Sequence, residues 1–166
     1  MRVLNLVAAF GLTACATMGD DLPTVRYADA ASRGSVAVFF AGRPSAADVD
    51  HATQNWTNAL GDSFACHAPI HQVIDAGLVG ALEIAAMNAA ETRGGQPEIR
   101  EGVRRYVGQL ASLAVSHRDQ PSPARCEALN GWTQRTTEAG RAAVARARSN
   151  GLMQDNYGIL LDLLGH

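Results

Sequence analysis

The sequence predicts an all-α fold, a small bundle of four to five helices in a single domain. Three observations support this. From residue 45 onward, apolar residues recur at steps of three and four, the period of a helix face. Each such stretch carries helix punctuation at one end or both: serine or proline at its start, or glycine or asparagine past its end. Only one stretch, 35–42, is rich enough in β-branched and aromatic residues to read as a strand, and it has no visible partner. A chain of 166 residues fits one domain with an ordinary core.

In chain order, "SVAVFFAG" (35–42) lies between Gly34 and Gly42. It is open between one short strand and the start of the first helix. Ser45 with Asp48 three residues on makes a short capping box. The helix behind it carries Val49, Ala52, Trp56 and Leu60, with Gly61 as its stop. The next helix has Pro69 near its start and Gly94-Gly95 past its end. It is apolar on most sides, which marks a buried helix. Its polar residues Gln72, Asp75 and Glu83 fall on one narrow stripe, and Asp75 and Glu83 argue against a membrane span. Small residues recur at Gly77, Ala81, Ala85 and Ala89, a spacing that lets a neighbouring helix approach closely.

A third helix starts at Pro97 and runs to about His117, with Ile99, Val103, Tyr106, Leu110 and Leu113 on its inner face. A fourth follows Ser122-Pro123, turns Leu129, Trp132, Thr136 and Val144 inward, and stops at Ser149-Asn150-Gly151. Arginines at 135, 141, 146 and 148 make its end basic, which a helix C-terminus favours without any ligand. A last helix, about 152–164, would present Met153, Tyr157, Leu160, Leu161 and Leu164. Short turns join the second, third and fourth helices, so these three run up, down and up.

Composition narrows the function. The net charge is −2, and all 14 basic residues are arginine. A slightly acidic chain without a clustered basic face is a poor nucleic-acid binder, so no nucleic-acid partner is expected. No phosphate loop, nucleophile elbow or haem-attachment motif occurs. Glu83 has no second acid beside it in sequence to form a catalytic dyad. The chain therefore reads as non-enzymatic, with no cofactor and no metal.

The first residues point to a destination. Met1-Arg2 is a positive start, Val3 to Leu12 is apolar apart from Asn5, and small residues follow at Thr13 and Ala14. This is the layout of a secretory signal. The Leu12-Thr13-Ala14-Cys15 sequence resembles the lipobox of bacterial lipoproteins. The resemblance implies that residues 1–14 are removed and that Cys15 is lipidated as the first mature residue. Residues 15–34 would then be the lipidated N-terminus and a flexible tether, and 35–166 the helical domain. It also implies a membrane-anchored envelope protein facing the periplasm. Ala16 in the second position favours the outer membrane under the sorting rule of enteric lipoproteins.

The other two cysteines follow from topology. Cys66 precedes the second helix and Cys126 opens the fourth, and up-down-up order puts both at one end of the bundle. In an exported chain such a pair reads as a disulfide. With Cys15 lipidated, no thiol is left over. An alternative uses the same region: His67 and His71, four apart beside Cys66, could join the two thiols in a zinc site of a metal- or stress-responsive periplasmic binding protein. A weaker third idea is an acid-stress chaperone. The leading expectation is a disulfide-stapled helical domain that binds a partner protein or peptide or plays a structural part.

Overall fold

The computed structural model describes residues 22–39 and 42–153. Among these residues there are five α-helices: α1 (Ala28–Ser32), α2 (Ala46–Ala65), α3 (Ile70–Glu91), α4 (Gln96–Val115) and α5 (Pro123–Ser149). No strand occurs among them. The leader, Cys15 and residues 154–164 of the expected last helix lie outside the described residues. Leu152 and Met153 form a bend, both buried, rather than a helical turn.

The stretch that stood open between strand and helix contains a 3-10 turn at Ala37–Phe39. Its apolar character serves burial of a side chain, not pairing of a backbone. Phe39 is buried and its ring sits 4.4 Å from that of Tyr27.

Local chemistry sets the helix boundaries. Ser45 and Asp48 form the expected box: the Asp48 N–H donates to Ser45 Oγ at 3.2 Å, and the Ser45 N–H to Asp48 Oδ2 at 2.7 Å. Ser122 caps α5 by accepting from the Arg125 N–H. The expected stop at Gly61 is not used, and α2 continues to Ala65. Gly61 is buried beneath the Arg118 guanidinium, which occupies the space a Cβ would need. Close approach offsets the roughly 1 kcal/mol that glycine costs inside a helix.

Instead, α2 ends at Cys66 and His67. His67 takes a left-handed φ of 55°, its N–H donates to the Phe64 carbonyl, and the Ala68 N–H donates to the Ser63 carbonyl. This pair of bonds is a Schellman motif, made here with histidine where glycine is usual. Arg93 ends α3 in the same way, with a φ of 56°.

Helix α3 is the centre of the bundle, packed against α1, α2, α4 and α5. By length and mean hydropathy it could cross a membrane, but most of it is buried inside the protein. Its small-residue stripe works as expected. Leu110 of α4 lies over Gly77, and Gly102 of α4 lies over Ala85. One turn along α3 from Gly77, Trp56 of α2 lies over Gly80 and meets Trp132 of α5 at 5.6 Å. Contacts run in the same order along α3 and α5: Cys66, just before α3, with Cys126, then Gln72 with Thr137 and Val79 with Gly140. The two helices are therefore parallel, as the up-down-up reading requires.

Gly140 sets how near α5 comes to α3. A Cβ there would overlap both methyls of Val79, which is β-branched and stiff. We expect Gly140→Ala to lower stability by about 1–3 kcal/mol through overpacking, seen as a reduced denaturation midpoint.

The expected tether, 15–34, is corrected by the structure over its described part. From Leu22 onward it belongs to the fold. Ala28, Ala31 and Ser32 are buried. The Trp132 indole N–H donates to the Pro23 carbonyl at 2.7 Å, and the Asn150 amide to the Ser32 carbonyl at 2.6 Å. Arg146 reaches Asp29 at 2.6 Å and Ser32 Oγ at 2.9 Å. Small, polar composition suggested a free linker, but alanines and a serine also suit a thin helix laid tightly on a bundle.

Candidate functional site

Cys66 and Cys126 form a disulfide with their Cα atoms 5.3 Å apart. The end of the bundle they close is also clamped by charge. Asp62 on α2 faces Arg118 at 3.4 Å and Arg125 at 3.8 Å.

The disulfide removes the thiolates from the zinc alternative. The histidines are separated as well. His67 sits in the left-handed turn after α2, Pro69 follows, and His71 is in the first turn of α3, so they share no helix face. Among the described residues, no group of three or more His, Cys, Asp or Glu side chains is placed to hold a metal.

Two acidic residues on the polar stripe of α3 do different things. Glu83 is buried, and its Oε1 accepts three backbone N–H bonds, from Arg26 at 2.8 Å, Tyr27 at 2.6 Å and Ala28 at 2.6 Å. These are donors at the start of α1, which lack partners within their own helix. Glu83 is thus a cap supplied from a distant helix. Burial raises its pKa, while the three N–H bonds and the nearby Arg26 charge pull it down; burial wins.

Asp75, two turns earlier, lines a groove between α3 and α5 of about 610 Å³. Its α3 wall carries His71, Gln72, Asp75 and Val79. The α5 wall includes Thr137, Glu138, Arg141, Val144 and Arg148. Thr137 Oγ1 donates to the Gln72 carbonyl at 3.3 Å and ties the two walls together. Asp75 is half-buried. Burial raises its pKa, opposed by the charges of Arg148, His71 and Arg141 in that order. A partly desolvated carboxylate beside arginines, over an apolar floor, suits binding of a charged ligand.

The arginines at the end of α5 divide between two faces. Arg146 serves the fold by pairing with Asp29, whose carboxyl is held below its ordinary range first by Arg146 and then by Arg33. Arg141 and Arg148 line the groove. The sequence reading took all of them as a helix-dipole feature and missed the groove. The available signal was spacing: 141 and 148 are seven apart, two turns on one face, as 71 and 75 are one turn apart on α3.

Comparison with known proteins adds no likeness: no family model, curated protein or solved structure matches the chain.

Proposed function

We propose that the chain is a lipid-anchored protein of the bacterial cell envelope, held through Cys15, whose stapled helical domain binds a protein or peptide partner without catalysing a reaction. The observation that carries the reading is the Cys66–Cys126 disulfide, taken with Leu12-Thr13-Ala14-Cys15. A disulfide persists in an oxidising compartment, and a signal ending in a lipobox is a route to one. Ala16 in the second mature position supports an outer-membrane anchor facing the periplasm, by resemblance to the sorting rule of enteric lipoproteins.

The folded N-terminal segment sharpens this picture. Leu22 is already part of the domain, so only residues 16–21 would separate it from the lipid. Seven residue steps span at most ~25 Å when fully extended. The domain would stand close to the bilayer instead of swinging on a long tether.

Fractionation of cells tests the reading. The wild type is expected with the membrane, Cys15→Ala in the soluble fraction, and Cys66 and Cys126 of envelope protein resistant to alkylation until reduced. Equal solubility of the two forms, or free thiols at both positions, overturns it.

A further inference from the structure

The α3–α5 groove has a balanced charge pattern. Asp75 on α3 and Glu138 on α5 contribute two negative charges, Arg141 and Arg148 on α5 two positive ones, and the lining also includes Val79 and Val144. Among the described residues, the side chains of Asp75 and Arg141 make no hydrogen bond or salt bridge with each other or with a third group, although Arg148, His71 and Arg141 all act on Asp75 electrostatically. A simple anion entering the groove would have to face Asp75 and Glu138. A simple cation would have to face both arginines. Like-charge juxtaposition of this kind is unfavourable, most of all at the half-buried Asp75. A molecule carrying a positive charge at one end and a negative charge at the other meets a complementary group at each end. A groove of about 610 Å³ is larger than one amino acid needs and suits two or three residues with small apolar side chains.

We infer that the groove binds a short zwitterionic peptide, with its ammonium end on Asp75 and its carboxylate end on Arg141. This rests on the reading of the domain as a binding module and names the ligand class that module takes. The ammonium replaces water at a half-buried carboxylate, and Arg141 offers a planar fork that matches a carboxylate.

Calorimetric titration of the detergent-solubilised full chain with tri-alanine tests the assignment. Saturable binding is expected, weakened about tenfold or more by Asp75→Asn and by Arg141→Ala, the loss expected of one charge-assisted pair. N-acetylated tri-alanine should bind weakly and be indifferent to Asp75→Asn. Tri-alanine amide should bind weakly and be indifferent to Arg141→Ala. Both variants should keep the wild-type melting midpoint; if Arg141→Ala does not, Arg141→Gln replaces it. No saturable binding up to about 10 mM, weaker than any useful affinity, overturns the inference, as does equal binding by wild type and variants. A chain that fractionates with the membrane but ignores the peptide removes the groove assignment alone. A soluble wild type that binds the peptide removes the anchor alone.

Discussion

Glu83→Ala should lower the stability of the domain by about 3 kcal/mol and its melting midpoint by about 10 °C. The reason is the three N–H groups of Arg26, Tyr27 and Ala28, which converge on one carboxylate oxygen. An unsatisfied buried donor costs roughly 1–3 kcal/mol. Ala28 is buried and would bear that cost in full, while Arg26 and Tyr27 are partly reached by water. Loss of the cap should also free the segment from Leu22 to Ser32, seen as faster amide exchange there. Glu83→Gln keeps an acceptor oxygen in place and should cost less than about 1 kcal/mol, because the loss of charge assistance is offset by the smaller desolvation of a neutral amide.

The same residue gives a pH signature. Burial raises the folded-state pKa of Glu83 above its ordinary 4.5. Between the two values the folded chain binds more protons than the unfolded chain, so stability falls as pH rises through that window. Above the folded pKa the loss is complete. Asp75 contributes in the same direction, so the test is the difference between proteins. Wild type should lose stability on going up through the window more steeply than Glu83→Gln. An alanine variant that melts within about 2 °C of wild type, less than 1 kcal/mol, would contradict the capping role.

Removal of the disulfide should be the other large effect. The bond between Cys66 and Cys126 spans a sequence separation of 60. By the chain-entropy model, closing such a loop is worth about 4 kcal/mol, within an expected range of ~2–5 kcal/mol for Cys126→Ser or for reduction. This is a large part of the ~5–15 kcal/mol that holds a domain together. Chemical denaturation with and without reductant measures it directly. An unchanged midpoint would mean that the two helix starts are held together as well without the bond. Asp62 with Arg118 and Arg125 is the clamp that would have to do so.

Helix order and the cysteine pairing were legible because they depend on features that sequence states outright. Capping serines, prolines and short turns mark the helices, and parallel α3 and α5 follow from the turns. The boundary at Gly61 was not legible, because a glycine that ends a helix and one that admits Arg118 look alike in sequence. The 15–34 segment misled for a related reason. Its packing depends on Glu83 and Trp132, which lie 50 or more residues away, and small side chains read equally as linker or as tight contact. In the groove, Asp75 and Arg141 come from helices that meet only in the fold. Their spacing was visible, but nothing in one dimension joined the two faces.

Anchorage at Cys15 is the central claim, and the intact mass of the mature protein purified from membranes tests it most directly. The expected result is a chain that begins at Cys15, heavier than residues 15–166 by the mass of its attached acyl groups. A mature chain that still carries Met1 to Ala14, or one that begins elsewhere without added lipid mass, would contradict it.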